Sequence, residues 1–293
     1  MTKLINKFLT LLKWARTFLI ILKGRGLDTY GRMDLLQAIS VHVSTLAVKL
    51  DNQIYAEQTI HRLIKMLDTG KYYALERVGP EHDSGYFLPK NIPIKEVISG
   101  GVGKNYEFES LLAIKGLDVH MFDGSVAKVT NSSKSLSFYP KFLKPAWDSS
   151  QKSITLSEIL NNHVHYCHDI LLKLDIEGDE YDILLEQVNE MQPFSVLVIE
   201  FHSLYRLSDL KFNQRFNEIF DALEKEFIPI YHNANNNRNH IQFGTSFVPE
   251  VIEIVFANKR HKSKLIERTS TYLDVANNPK RLAIPRGPFL YEL

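Results

Sequence analysis

The stretch Ile170–Glu186, ILLKLDIEGDEYDILLE, decides how the rest of the chain reads. Its first part is short, mostly apolar and free of glycine and proline, as in a strand buried on both faces. It ends on Asp175 and Glu177, and Gly178 then leads into an acid-rich segment of helical texture. A strand that only filled a core would have no use for two carboxylates one residue apart. Alternation sends them to opposite sides unless the chain turns between them. Asp175 is therefore read as the carboxylate at a ligand-facing strand tip, with Glu177 and Gly178 turning the chain toward the next helix. Asp179 and Glu180 are explained as first-turn acids that complement the helix dipole.

Similar runs lie on both sides. EVISGG (Glu96–Gly101), DVHMFD (Asp118–Asp123), LSFYP (Leu136–Pro140), SVLVIEFH (Ser195–His202), FIPIYH (Phe227–His232) and EVIEIVF (Glu250–Phe256) all read as strands. Helical patterns at Tyr106–Lys115, Leu156–Asn162, Asp179–Met191 and Leu207–Glu226 separate most of them. Strands alternating with helices imply right-handed crossovers and a mostly parallel sheet. Between the last two runs lies only NANNNRNHIQFGTSFVP, read as a long loop that permits an antiparallel final pair. The expected fold class is α/β, with seven strands and a late antiparallel pair.

In such sheets ligands bind beyond the carboxyl ends of the strands. VISGGVGKNYEFESLLAIKG is a strand, a glycine-rich turn and a helix. Gly100, Gly101 and Gly103 allow a tight turn and close backbone approach to a ligand, and the helix N-terminus favours anionic groups. About twenty residues on, Asp123 ends a strand where it can accept hydrogen bonds from ribose hydroxyls. Tyr106 stands where the dinucleotide fingerprint needs a third glycine, so a nucleoside without a pyrophosphate fits better than NAD. VLVIEFH delivers Glu200 and His202 to one side of a neighbouring strand, and IYHNANNN adds His232, Asn233 and Asn235. Asp175, Glu200 and His232 together suit a divalent metal such as Mg2+ or Mn2+. The same strand ends equally suit a metal-free general base acting on a hydroxyl, and these residues alone leave that choice open. His163, His165 and His168 surround the lone Cys167 in a loop, without the spacing of a zinc site.

Composition bounds the rest. The 293 residues suit one large α/β domain with an extension, or two small domains. A net charge of +1 gives no argument for nucleic-acid binding. One cysteine excludes an internal disulfide and points to a cytoplasmic setting. The first 26 residues carry Lys3, Lys7, Lys13, Arg16, Lys23 and Arg25 with no acid, interleaved with Phe8, Trp14 and Phe18. Lys13 and Arg16 interrupt the run, so it falls short of a spanning helix, and no secretory cleavage pattern follows. A basic helix of this kind either lies peripherally on an anionic membrane surface or docks on its own domain or a second subunit. Residues 32–68 add helical periodicity. The expected division is an N-terminal helical extension over 1–75 and a main domain over 76–293.

The order of these motifs resembles the FkbM-like family of S-adenosylmethionine-dependent O-methyltransferases. The matching segments are ERVGPEHDSGYFLP, SGGVGKNYEFE, VHMFDGS, TLSEIL with LLKLDIEGDEYDIL, then LVIEFH, YHNANN and VPEVIEIVF, spanning about Glu76 to Asn258. The resemblance implies a class I methyltransferase (Rossmann-like) fold and methyl transfer to an oxygen, often a sugar hydroxyl. Its acceptor would be a nucleotide sugar or a glycan, in polysaccharide biosynthesis. By position, Gly101, Gly103 and Asp123 would hold S-adenosylmethionine, and Asp83, Gly85 and Tyr86 would line its amino-acid end. Asp175, Glu200 and His202 would face the acceptor as the catalytic group, with His202 as base. Ser84 and Asn105 depart from the family pattern, standing where a glycine and an acid are common. The rival readings are a metal-dependent glycosyltransferase holding its ion with Asp175 and Glu177, a nucleotide-sugar oxidoreductase, and a non-catalytic membrane-attached partner.

Overall fold

The computed structural model describes residues 53–68, 71–130, 133–148, 150–187, 191–243, 246–268 and 277. The basic first segment and most of the expected N-terminal extension lie outside them. Among the described residues, no helix is long and apolar enough to cross a membrane.

The centre is a seven-stranded sheet. In chain order its strands are β1 (Glu96–Gly100), β2 (Asp118–Phe122), β3 (Leu136–Tyr139), β4 (Ile170–Leu174), β5 (Phe194–Phe201), β6 (Phe227–Ala234) and β7 (Ile252–Asn258). They lie side by side in the order β6-β7-β5-β4-β1-β2-β3. β1 to β5 run parallel, whereas β7 is antiparallel to both β5 and β6. This mixed α/β sheet with its reversed last strand is consistent with the class I arrangement.

Alternation within the strands builds two apolar layers. Leu172 and Leu174 of β4, with Leu197 and Ile199 of β5, join the core on one face. That face is covered by α1 (Gln53–Leu67), α3 (Leu156–Asn162), α4 (Glu180–Glu186) and α5 (Leu210–Glu226). Leu171, Val196 and Val198 belong to the opposite layer, covered by α2 (Glu107–Ile114) and by the hairpin of Leu75–Val78 with Tyr86–Pro89. Ala56, Ile60, Leu63 and Leu67 form the buried stripe of α1, at the spacing of one helix face. Thr59 and Arg62 add polar contacts to Asn213, Asn217 and Glu224 of α5.

Several expectations are corrected. The expected helix over Leu207–Glu226 is two elements: a 3-10 turn (Leu204–Ser208) and α5, separated by extended Asp209. The Asp209 carboxylate caps α5 by accepting from the amides of Lys211 and Phe212. α4 ends at Glu186 rather than at Met191. The expected loop after β6 contains a hairpin, His240–Phe243 with Ser246–Pro249. The hairpin over 75–89 had no place in the strand list, because its strands are only four residues long.

Candidate functional site

A cavity of about 740 Å3 opens at the carboxyl ends of β1, β2 and β4. Gly101, Gly103, Asp123, Tyr86 and Asp175 line it, together with Ser125, Lys173, Glu109, Lys144 and Glu177. It lies where the strand order reverses, with β2 and β3 to one side of β1 and β4 and β5 to the other. Open α/β sheets place their crevice there.

The glycine loop is shaped by its neighbours. Gly101 has φ +74, and a Cβ there would stand 1.8 Å from the Asp175 carbonyl oxygen, so no other residue fits. The Gly103 amide, at φ +58, donates to Asp123 Oδ2 at 2.8 Å. The amide and hydroxyl of Ser125 donate to Asp123 Oδ1 at 2.8 and 2.6 Å. Burial alone would push the Asp123 carboxyl up, but these donors and the Lys173 charge hold it below the usual range. The carboxylate thus stays ionised and aimed at the cavity, with one acceptor position to spare.

Not every expected cofactor residue reaches the cavity. Gly100 is the buried end of β1, and a Cβ there would come within 3.0 Å of Leu143. A Cβ on Gly85 would meet the Pro80 carbonyl at 2.1 Å, so that glycine serves the hairpin turn. Asp83 is exposed, with its Oδ1 accepting from the Ser84 amide. Tyr86 does reach the cavity, and its hydroxyl donates to Asp175 Oδ2 at 3.1 Å.

Beside the cavity, Asp175, Glu200 and His202 form a cluster whose ligand atoms all lie within 4.8 Å of one another. His232, expected beside Asp175 and Glu200, is not part of this cluster, whereas His202 is. His232 lies on β6, and β7 separates that strand from β5, a gap of roughly 10 Å. The chain does turn at Glu177 and Gly178, as read from the sequence, and the turn decides the side that Glu177 faces. Glu177 adopts φ +57, and this left-handed turn brings its Oε2 to 3.7 Å from His202 Nε2, the same distance as Asp175 Oδ1.

The electrostatics of the cluster are uneven. Burial drives the Glu200 carboxyl well above its ordinary range, and the neighbouring Asp175 charge adds to this. Burial would raise Asp175 as well, but the Lys173 charge, the hydrogen bonds to Glu200 and Tyr86 and the His202 charge together hold it below its ordinary value. The two carboxyls therefore titrate as a pair, with Glu200 the one that holds its proton to higher pH. Burial lowers His202, but Glu180 and the other surrounding acids raise it further, so the imidazole keeps its proton to higher pH than usual. That weakens the case for His202 as a free base near neutral pH.

Sequence reasoning missed several members of the site. Lys173 is 3 % exposed, donates to the Gly101 carbonyl and sits over the Tyr86 ring. A lysine inside ILLKL was the available signal, since a buried ammonium needs partners. Glu109, from the first turn of α2, accepts from the Ser99 hydroxyl at 2.6 Å, and burial raises its carboxyl. Asn235 and Glu180 were named from the sequence, but not their bonds: Asn235 donates to Glu200 Oε1 at 2.6 Å, and the His202 amide donates to Glu180 Oε1 at 2.7 Å. Glu253 of β7 lies directly opposite Glu200.

No protein-family profile and no curated protein sequence matches the chain. Among solved structures, it is similar to a protein of Pyrococcus horikoshii described as a candidate RNA methyltransferase. The two are 11 % identical, the likeness covers 57 % of this chain and 76 % of that one, and the TM-score is 0.29. The fold rests on strand order and direction.

Proposed function

We propose that the chain is an S-adenosylmethionine-dependent O-methyltransferase of the FkbM-like kind, acting on a sugar hydroxyl of a nucleotide sugar or glycan. The observation that carries this reading is the cavity at the strand-order switch, framed by Gly101, Gly103 and an ionised Asp123, with a polar cluster at its side. Asp123 keeps one acceptor position for a ribose hydroxyl, and the glycine loop lets backbone approach the nucleoside. These residues fit a nucleoside cofactor without a pyrophosphate.

Bound there, S-adenosylmethionine supplies a methyl group that is already electrophilic. What remains for the protein is alignment of the attacking oxygen and removal of its proton. Asp175 lines the cavity and stays ionised, so an acceptor hydroxyl placed there meets a carboxylate that can take its proton. The sugar acceptor and a role in polysaccharide biosynthesis rest on the sequence resemblance.

Incubation with methyl-labelled S-adenosylmethionine and a panel of nucleotide sugars tests the reading. Label transferred to an acceptor, and lost in Asp123→Ala, would support it. Cofactor binding without transfer to any sugar would remove the sugar acceptor. The Glu177 turn favours one second reading, a metal-dependent glycosyltransferase, because it removes the objection that Asp175 and Glu177 face apart. Binding of UDP in place of S-adenosylmethionine would favour that reading.

A further inference from the structure

The imidazole of His202 is enclosed by carboxylates without bonding to them. Its Nε2 lies 3.7 Å from Asp175 Oδ1, Glu177 Oε2 and Glu200 Oε2. That separation is too long for a hydrogen bond. Its Nδ1 has no hydrogen-bond partner either, although the residue is only 5 % exposed. A polar ring buried to this extent ordinarily finds partners.

Each neighbour is held from behind. Tyr86 donates to Asp175 Oδ2, and Lys173 lies 3.7 Å from the same oxygen, leaving Oδ1 turned to the cluster. Asn235 holds Glu200 through Oε1, leaving Oε2 turned the same way. Nδ1 of His202 sits 3.4 Å from Glu180 Oε1, a carboxylate itself fixed by the His202 amide. Metal-binding groups show this pattern: one atom faces the ion, and the others are tied to an outer shell that sets their orientation.

We propose that Asp175, Glu200 and His202 bind a divalent cation, with Glu177 at the rim. Ligands about 2.1–2.3 Å from a cation lie roughly 3–4.5 Å from one another. The three ligand atoms here, all within 4.8 Å of one another, need only a slight contraction. One imidazole with carboxylates suits Mn2+, Fe2+ or Zn2+ better than the oxygen-seeking Mg2+ and Ca2+. The cation also relieves a crowding of acids, because Glu253, 4 % exposed, stands opposite Glu200 across the β5–β7 pair. Facing like charges on adjacent strands are otherwise unfavourable. Beside the cavity, the ion would lower the pKa of a bound hydroxyl and make His202 a ligand rather than the base. The inference stands on the cluster and not on the methyl-transfer reading, since the ion binds with or without a methyl donor.

Mn2+ titration of chelator-treated protein, followed by loss of the free-ion paramagnetic resonance signal, tests it. The expected result is saturable binding of one ion per chain, weakened at least about tenfold in Glu200→Gln and in Asp175→Asn. Circular dichroism and thermal unfolding of both variants accompany the titration. Should Glu200→Gln not fold, Asp175→Asn decides alone, because Asp175 is partly exposed at the strand tip. No saturable binding, or equal binding in the folded variants, overturns the proposal.

Discussion

Both ends of the sheet bury charge, but they treat it differently. At the amino ends of the strands, Glu96 is fully buried and accepts from the amides of His165 and Tyr166 and pairs with His120 Nε2 at 2.8 Å. Nearby, Asp169 takes Lys95 at 3.2 Å and the Ser195 hydroxyl at 3.3 Å, and Ser195 is also held by Arg260. These acids have spent their acceptor capacity on the protein. At the carboxyl ends, Asp123, Asp175 and Glu200 are each anchored but keep an oxygen turned to a cavity or to the His202 ring. A closed polar network specifies a fold; an open one beside a cavity points to a ligand.

Substitutions at the two ends should therefore differ in kind. The largest effect is expected for Glu96→Ala, which strands two amides and a buried imidazole. It should cost about 3–5 kcal/mol in chemical unfolding, while any folded fraction keeps its ligand affinity. Unchanged unfolding would show that the amino end is not the structural one. Asp123→Ala should act in the opposite sense. S-adenosylmethionine affinity should fall by about 1.5–3 kcal/mol, roughly 10- to 150-fold, with a smaller change in stability. A large stability loss with unaltered affinity would reverse the assignment of the two ends.

Asp169→Asn sharpens the comparison through pH. Burial would raise this carboxyl, but the Lys95 hydrogen bond, the His168 and Lys95 charges and the Ser195 hydroxyl hold it below its ordinary value. A depressed folded pKa gives stability that is present above the unfolded value and lost as pH falls through the folded one. The variant should be less stable by about 1–3 kcal/mol at neutral pH. The gap should close as pH drops below the usual carboxylate range, as read by thermal melts at several pH values. A gap independent of pH would remove the ion pair as its cause. The smallest effect is expected at Ser84, which holds φ +65 in the hairpin turn before Tyr86. Ser84→Gly should raise stability by about 0.5–1 kcal/mol by relieving a left-handed backbone. A fall in melting temperature would argue that the Ser84 side chain supports the turn.

All seven sheet strands were legible in the sequence, because buried parallel strands read as dense apolar runs punctuated by glycine and acids. Gly101 and Asp123 were legible for a related reason: a tight turn and a strand-end acid depend on residue type and spacing. The rest of the site depends on pairing between distant segments. Nothing local to EVIEIVF says that Glu253 will face Glu200, or that Asn235 rather than His232 will reach that carboxyl. The turn at Glu177 and Gly178 was legible, but not that Glu177 itself takes the left-handed conformation, which glutamate seldom adopts. Lys173 was visible as a misfit in an apolar strand, but its partners, Gly101 and Tyr86, come from other elements.

The central claim is that the open end holds S-adenosylmethionine through Asp123. Calorimetric titration of the purified protein with S-adenosylmethionine, NAD and UDP in separate experiments tests it most directly. The expected result is saturable binding of S-adenosylmethionine alone, weakened by roughly 10- to 150-fold in Asp123→Ala. Binding of NAD or UDP with none of S-adenosylmethionine would contradict it.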